Sequence, residues 1–277
     1  MTQEDLLIHK KNVFSQNGED GIIQHIFQLL GGGSTCCEFG AWDGIHFSNC
    51  RNLILQGWHA IMIEGDKEKY SALTKTYQDV SAVKTVHRFV DTGENSLDRI
   101  LQELRVPTLD FLSIDIDGLD YQILESLNVR PKVICIEVNA GHDPRNHSII
   151  PPEIAQKNIG QPLPVFINIA EQKGYNLVCY TGNAFFVQKE LCQRYALPTL
   201  SSETAYENFL NHLSSSEREW LYLVNLGMVP PYYRFHNSYL AAATLGIDPT
   251  RALRLRVTAT ASQFILKRLR LIRDIFQ

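Results

Sequence analysis

Short apolar segments alternate with amphipathic segments along the first 190 residues. An apolar run of four to eight residues is typical of a strand buried in a parallel sheet, whereas apolar residues at every third or fourth position indicate a covering helix. Seven segments are predicted strands: Ser34–Phe39, Ala60–Glu64, Val83–Val90, Asp110–Asp115, Lys132–Val138, Tyr175–Tyr180 and Ala184–Gln188. Between them the predicted helices are residues 22–30, 48–56, 67–78, 96–104, 121–127 and 163–174.

This alternation predicts an α/β fold with right-handed crossovers, namely a Rossmann-like, doubly wound, mainly parallel seven-stranded sheet. The last two strands read as a hairpin that closes the sheet. We expect a domain over residues 1–190, with a helical lead-in at 1–33, and a helical C-terminal appendage at 191–277. The polar, proline-bearing stretch 141–164 is long for a structureless loop, which favours a lid or substrate loop.

The amino-acid composition argues against several classes of protein. The 277 residues carry a formal net charge of −4, without the excess of Lys and Arg that nucleic-acid binding requires. The N-terminus lacks the apolar core of a signal peptide, and no apolar stretch is long enough to cross a membrane. The six cysteines show neither C-x-x-C pairs nor zinc spacing, so we expect buried, reduced thiols and a cytoplasmic protein.

Candidate chemistry follows the predicted strands, because ligands of open parallel sheets bind beyond the carboxyl ends of the strands. The first strand runs into Glu38-Phe39-Gly40-Ala41-Trp42-Asp43-Gly44. Glycines in a strand-to-helix turn let a ligand approach the backbone. The two acids would repel a pyrophosphate but suit an ammonium group, such as that of S-adenosylmethionine. The alternative is a plain glycine turn that packs a helix on a strand.

Two further acids end the second and third predicted strands. Glu64 lies about twenty-five residues after the first motif, where an acid can accept hydrogen bonds from both ribose hydroxyls of a nucleoside. Glu64 as an ordinary surface acid is the alternative. Asp91 is placed to meet an adenine amino group, and a solvated turn residue is an equal interpretation.

The fourth and fifth strands bring more oxygen ligands to the same edge. Asp115 and Asp117 follow the fourth strand, and Glu137 and Asn139 follow the fifth. Uncompensated like charges so close together are costly, and a cation would relieve the repulsion. Asp115, Glu137 and Asn139 are therefore candidate ligands of Mg²⁺, Mn²⁺ or Ca²⁺. The alternative is that some of these acids cap helices or bind backbone amides.

Taken together, these residues resemble the FkbM-like family of S-adenosylmethionine-dependent methyltransferases. The resemblance covers about residues 12–190. The segments that carry it are Phe14–Gly21, Glu38–Gly44, Gly57-Trp58 before Ile63-Glu64, Phe111–Asp120, Val133–Asn139 and Asn183–Val187. One departure concerns Asp117, since family members more often have Glu at this position of the motif.

The resemblance implies specific roles. Glu38, Gly40, Asp43 and Gly44, with Ala41 between them, would cradle the methionine part of S-adenosylmethionine. Glu64 would bind the ribose, and Gln16 and Glu19 would close over the cofactor. The acids also resemble those of metal-assisted O-methyltransferases that act on sugars or catechols.

These expectations lead to one main hypothesis. The chain would transfer a methyl group from S-adenosylmethionine to a hydroxyl of a sugar, a glycan or a small natural product. Because a neutral hydroxyl has a high pKa, a base, a metal or both are needed, and the candidate bases are Asp115, Asp117 and His142. His46 and His147 are further candidates, although an exposed loop histidine without a role is commoner.

Two other function classes are weighed against the main hypothesis. A regulatory protein could keep the cofactor pocket without turnover. An NAD-dependent oxidoreductase is disfavoured by Glu38, by Asp43 and by the absence of a G-x-G-x-x-G turn.

The C-terminal segment has a pattern of its own. Basic residues alternate with Leu, Ile and Phe: Arg251, Arg254, Arg256, Lys267, Arg268, Arg270 and Arg273. Such a helix could rest on an anionic membrane or form an oligomer contact. A helix that packs on the core or on a second subunit with a solvated basic face is the simpler interpretation.

Overall fold

A computed structural model describes residues 4–116, 118–155, 160–214 and 218. Contacts divide these residues into two units. The first contains the described residues up to Asn139 and those from Pro144 to Phe209, and the second contains Ala140–Asp143 together with the described residues from Leu210 onward. In the second unit the Arg218 guanidinium donates to the carbonyl of Asn211 over 3.1 Å. The predicted boundary near residue 190 stays a prediction, and the basic segment 251–273 lies outside the described residues.

The predicted seven-stranded sheet forms the centre of the first unit. Its strands are β1 (Thr35–Phe39), β2 (His59–Glu64), β3 (Val83–His87), β4 (Phe111–Ile114), β5 (Val133–Glu137), β6 (Tyr175–Tyr180) and β7 (Asn183–Gln188). The spatial order is β3-β2-β1-β4-β5-β7-β6. β1 to β5 pair in parallel, while β7 is antiparallel to both β5 and β6. The Rossmann-like, mainly parallel sheet with a closing hairpin is thus confirmed.

Helices connect and cover these strands. They are α1 (Glu19–Leu29), α2 (Arg51–Leu55), α3 (Lys67–Tyr77), α4 (Leu97–Glu103), α5 (Asp120–Ser126), α6 (Pro152–Ala155), α7 (Leu163–Gln172), α8 (Lys189–Tyr195) and α9 (Ser202–Asn211). Their apolar residues cover a sheet whose central strands are buried on both sides. In the part of the chain that is described, no helix combines the length and the hydropathy needed to cross a membrane.

Two predicted elements differ from the structure. The third strand was expected to reach Val90, but β3 stops at His87 because its last partner on β2, Glu64, is also the last residue of that strand. In the predicted helical lead-in at 1–33, residues 6–14 form only a 3-10 helix, Leu6–His9, and α1 begins at Glu19. The continuation of the 3-10 helix is diverted because the buried Asp20 carboxylate accepts hydrogen bonds from three successive backbone amides, those of residues 13–15.

The proline-bearing insertion after β5 contains the short helix α6 and is closed by a buried glutamine. Gln161 accepts a hydrogen bond from the amide of Ile150 and donates to the carbonyl of the same residue, over 2.8 and 2.6 Å. Ile149 and Ile154 remain exposed on this segment. All six cysteines are free and buried, as the sequence predicted.

Candidate functional site at the carboxyl edge of the sheet

The strand register brings the predicted acids to one face and one edge of the sheet. Glu38 on β1 pairs with Met62 on β2 and with Ser113 on β4, so these three side chains share a face. Glu64 lies two residues after Met62, and Asp115 lies two residues after Ser113. Because successive side chains of a strand point to opposite faces, both acids return to the face that carries Glu38. The predicted convergence of strand-end acids therefore follows from register alone.

β5 extends this face to a third strand. Ser113 pairs with Cys135, and Glu137 lies two residues beyond. Burial raises the pKa of the Cys135 thiol well above its usual value, and three carboxylates raise it further, in the order Glu19, Asp115 and Glu38. The three carboxylates therefore lie around the part of the sheet that contains Cys135. The site is accordingly an acidic surface over the ends of β1, β4 and β5.

Glu38 is buried inside this surface rather than presented on it. Its carboxylate accepts hydrogen bonds from the Ser48 hydroxyl at 2.5 Å, from the Asn49 amide at 2.8 Å and from the Cys50 amide at 3.4 Å. Burial nevertheless dominates and raises the pKa of Glu38 to about 7. Glu38 therefore anchors the residues that lead into α2. Its predicted contact with the methionine part of the cofactor stays a prediction.

The raised pKa of Glu38 predicts a pH-dependent stability. Between pH 4.5 and 7 the folded chain holds a proton that the unfolded chain releases, so the stabilisation is complete below pH 4.5 and lost as the pH rises to 7. A shift of this size corresponds to about 3 kcal/mol. Glu38→Gln cannot titrate, and its free energy of unfolding relative to wild type should change across this window in urea titrations. Glu68→Gln, an exposed neighbour, should keep the wild-type dependence; identical slopes for Glu38→Gln and wild type would contradict the prediction.

The loop after β1 is held against the end of β2. The Ala41 amide donates to the Ile63 carbonyl at 3.1 Å, and the Trp42 amide donates to the Glu64 carboxylate at 2.8 Å. The second oxygen of Glu64 accepts from the Asp66 amide at 2.8 Å. Glu64 is buried, and it fixes both the β1 loop and the turn that begins α3. Each of its oxygens keeps a lone pair that a ribose hydroxyl could use.

Gly40 and Gly44 shape the same loop. Both have positive φ angles, +75° and +74°. A Cβ atom at Gly40 would lie 1.9 Å from the carbonyl oxygen of Asp115, so the absence of a side chain lets β1 and β4 approach each other there. At Gly44 the neighbour is Tyr77, whose hydroxyl donates to the Gly44 carbonyl at 2.6 Å. Trp42 also has a positive φ, +48°, a conformation uncommon for bulky residues.

Asp43 organises the far side of the loop. Its carboxylate accepts from the backbone amides of Ile45 and His46, over 2.9 and 3.0 Å, and contacts the His46 imidazole at 2.5 Å. Burial acts to raise the pKa of Asp43, but these hydrogen bonds outweigh it and leave the pKa below its usual value. Asp43 is therefore ionised and held in place. The candidate base His46 is its partner.

The segment before α1 reaches the site through Glu19. This fully buried carboxylate accepts from the Thr181 hydroxyl at 2.8 Å, from the Asn183 side chain at 3.1 Å and from the Asn17 amide at 2.6 Å. Glu19 thus ties the lead-in to the β6–β7 turn. Gln16 is half-buried beside it. Their predicted closure over a cofactor stays a prediction.

Asp91 belongs to a turn and not to a strand end, because β3 ends four residues earlier. Its carboxylate accepts from the Gly93 amide at 2.7 Å and from the Asn95 amide at 3.0 Å. This geometry is that of a turn closed by an aspartate side chain. The placement of Asp91 at the end of a strand is corrected, and the adenine contact stays untested.

The proposed base and metal ligands have different environments. Asp115 is exposed, Glu137 is half-buried and Asn139 is buried. His142 belongs to the second unit, and Asp117 lies outside the described residues. Among the described residues, no trio of His, Cys, Asp and Glu ligand atoms is brought together at this edge. A metal here would rest on two carboxylates and the Asn139 amide, and it stays a prediction.

Several polar residues of the site escaped the sequence analysis. The buried Asn49 side chain donates to the Ser113 hydroxyl at 3.0 Å and lies 3.8 Å from the Cys135 sulfur. Ser48 and Asn49 stand before α2, and the pattern of a polar pair before an apolar run could have marked them as a helix start. Thr181 shows no such signal, because only the β6–β7 hairpin brings it to Glu19.

Comparisons with known proteins address the family and the fold. The family model described as methyltransferase FkbM domain matches residues 77–168, from the end of α3 into α7. This range includes Asp91, Asp115, Glu137 and Asn139 but neither the β1 loop nor Glu64. Among curated proteins, none matches the chain.

Solved structures show weak similarity. Monomeric WbdD shares 13% identity at a TM-score of 0.43, over 64% of this chain and 42% of its own length. A putative caffeoyl-CoA O-methyltransferase from Staphylococcus aureus shares 14% at 0.42, over 63% and 84%. The N-terminal domain of EvdMO1 with SAH bound shares 13% at 0.39, over 62% and 80%. This chain thus spans less than half of WbdD.

The family match and the sheet agree with the resemblance drawn from the sequence. The matched segment contains β3, β4 and β5 with the acids that follow the last two of them. Residues 77–168 match the methyltransferase FkbM domain, and this match confirms the predicted resemblance to the FkbM family over that segment.

Proposed function

We propose that the chain is an S-adenosylmethionine-dependent O-methyltransferase that acts on a hydroxyl of a sugar, a glycan or a small natural product. The observation that carries the proposal is the placement of Glu38, Glu64 and Asp115 on one face, at the carboxyl ends of three adjacent strands, around the turn at Gly40. This edge is where open parallel sheets bind nucleoside ligands. The FkbM family match supports methyl transfer as the reaction class.

The cofactor would lie across the ends of β1 and β2. S-adenosylmethionine supplies an electrophilic methyl group on a sulfonium. The unused lone pairs of Glu64 suit the ribose hydroxyls, and the backbone from Gly40 to Gly44, ordered by Asp43, suits the amino-acid part. Gln16 and Glu19 would border the site from the lead-in, and Asp91 would face the adenine.

The negative charge of this edge favours a cofactor with a positively charged group over one with a negatively charged group. Glu38 and Asp115 are near enough for the charge of Asp115 to raise the pKa of Glu38. A ligand with a positive sulfonium or ammonium reduces this repulsion, whereas a pyrophosphate increases it. The acidic surface therefore favours S-adenosylmethionine over a dinucleotide.

The acceptor hydroxyl must lose its proton as the methyl group is transferred. Asp115 is the exposed carboxylate at the end of β4 and is the first candidate for this base, with Asp117 and His142 as further candidates. The oxygen donors Asp115, Glu137 and Asn139 suit Mg²⁺ or Mn²⁺ by their chemistry. Such an ion would supply positive charge that lowers the pKa of the hydroxyl.

Calorimetry with S-adenosylhomocysteine tests cofactor binding. Glu64→Gln should weaken binding by roughly 10- to 100-fold, because the substitution removes an acceptor and turns an NH₂ group toward the amide donors of Trp42 or Asp66. Glu68→Gln, which changes an exposed acid in the first turn of the adjoining helix, should bind as wild type does. Equal affinities of the Glu64 variant and wild type, with both folded by circular dichroism, would rule out the proposed ribose contact.

Acceptor screening tests the reaction. The full chain should transfer the labelled methyl group of S-adenosylmethionine to a hydroxyl-bearing sugar or small molecule, and mass spectrometry would locate the methyl on oxygen. EDTA addition and Mg²⁺ or Mn²⁺ replacement would decide the metal requirement. Tight cofactor binding without turnover across the panel would instead favour a regulatory protein.

A further inference from the structure

The 3-10 helix Leu6–His9 lies against α1. It contributes none of the carboxylates that form the acidic edge. Leu6 and Leu7 are buried in the core, which fixes one side of this helix. Its end approaches α1 at Gly21, where an added Cβ would lie 2.1 Å from the carbonyl oxygen of His9. His25 is four residues after Gly21 and therefore stands on the same face of α1. The close approach thus brings His9 onto His25.

Three side chains with metal-binding atoms meet at this junction. The rings of His9 and His25 are stacked, with centroids 3.5 Å apart and planes 12° from parallel. Both Nε2 atoms lie near the same oxygen of Glu4, at 2.9 Å from His9 and 3.7 Å from His25. All three ligand atoms lie within 4.8 Å of one another. This is the one such group of His, Cys, Asp and Glu found among the described residues.

The Nε2 atom of His25 distinguishes the cluster from an ordinary surface ion pair. It is buried and has no hydrogen-bond partner among the described residues, although an unsatisfied buried nitrogen costs about 1–3 kcal/mol. The Glu4 oxygen is 3.7 Å away, too far for a hydrogen bond. A ligand that accepts the lone pair of this nitrogen would remove the cost.

We propose that Glu4, His9 and His25 form a binding site for a divalent transition metal, with Zn²⁺ as the best fit. Ligand atoms of a tetrahedral zinc lie roughly 3.3 Å apart, a value that the two observed N–O distances bracket. Two imidazoles and one carboxylate suit Zn²⁺ better than Mg²⁺ or Ca²⁺, which prefer oxygen ligands. The two rings must turn out of their stacked arrangement for both in-plane lone pairs to point at one ion.

The proposed ion would have a structural role. A bound ion would fasten the 3-10 helix to α1, whose first residue, Glu19, holds the β6–β7 turn. The side chains of His9, His25 and Glu4 are 28%, 19% and 47% exposed, so the ion can enter from solvent and keep a water as its fourth ligand. The ion would stabilise the lead-in and take no part in methyl transfer.

Titration of the EDTA-treated full chain with Zn²⁺, against a chromophoric chelator, tests the site. Wild type should bind one equivalent, and the thermal midpoint should rise on binding. His9→Gln, His25→Gln and Glu4→Gln should each weaken binding, by roughly 100-fold for the histidines. His147→Gln, which removes an exposed histidine of the first unit, should leave binding unchanged. In EDTA the variants should melt close to wild type.

Cobalt substitution identifies the ligands. Co²⁺ bound at this site should show the d–d spectrum of nitrogen and oxygen ligands, without the charge-transfer band that a thiolate produces. Three results would overturn the proposal: no binding by wild type, full binding by the His9→Gln/His25→Gln double variant, or a thiolate band. Each readout is independent of S-adenosylmethionine binding and of methyl transfer, so the site and the proposed activity can fail separately.

Discussion

Changing Asp115 to Asn is expected to slow methyl transfer by roughly 10²- to 10⁴-fold while S-adenosylhomocysteine binding stays near wild type. The reason is chemical, since an amide of nearly the same shape cannot accept the proton of the acceptor hydroxyl. Asp115 is exposed at the end of β4, whereas Glu38 and Glu64 are buried and occupied by backbone amides. Of these three acids, Asp115 is therefore the one that solvent and a substrate can reach.

The pH dependence of stability tests the position of Asp115 without a measurement of methyl transfer. The charge of Asp115 contributes to the raised pKa of Glu38, so Asp115→Asn should move the pH dependence of stability toward lower pH. Asp79→Asn serves as the matched control, because Asp79 is exposed before the amino end of β3, at the opposite edge of the sheet. If the Asp115 variant kept full activity, the base would be Asp117 or His142.

Replacing Gly40 with Ala is expected to destabilise the protein by about 3 kcal/mol and to abolish cofactor binding. The residue has a φ of +75°, which costs an L-amino acid roughly 1–2 kcal/mol. A methyl group would also lie 1.9 Å from the carbonyl oxygen of Asp115, and such overpacking costs roughly 1–3 kcal/mol. Since β1 and β4 would have to separate, Asp115 would move relative to the turn that holds the ligand.

Gly57 provides the matched control for this prediction. It also has a positive φ, +90°, but an added Cβ there meets nothing within 4 Å. Gly57→Ala should therefore show only the conformational cost, about 1 kcal/mol, and should bind S-adenosylhomocysteine normally. Urea unfolding of both variants separates the two contributions. Equal destabilisation by the two substitutions would show that the contact with Asp115 is unimportant.

The sequence identified the strands well, because burial on both faces leaves a continuous apolar run that few other structures produce. β6 matches its prediction from end to end, and β1, β2 and β5 differ only by terminal residues. The error at β3 arose because a strand ends where its partner ends, and Arg88 and Phe89 give no local sign that β2 has finished. The N-terminal error has the same origin, since Asp20 binds amides up to seven residues away.

The sequence by itself determined the alternation of strands and helices, the acids that follow the strands and the resemblance to FkbM-like methyltransferases, because these depend on local periodicity and on residue type. Only the tertiary structure decided what those acids contact. Glu38 and Glu64 both accept hydrogen bonds from backbone amides, and Glu19 holds a hairpin turn that is more than 160 residues away in sequence. The junction of Glu4, His9 and His25 is likewise invisible along the chain. The physical reason is that strand register and helix packing join distant segments, and a one-dimensional pattern does not contain those distances.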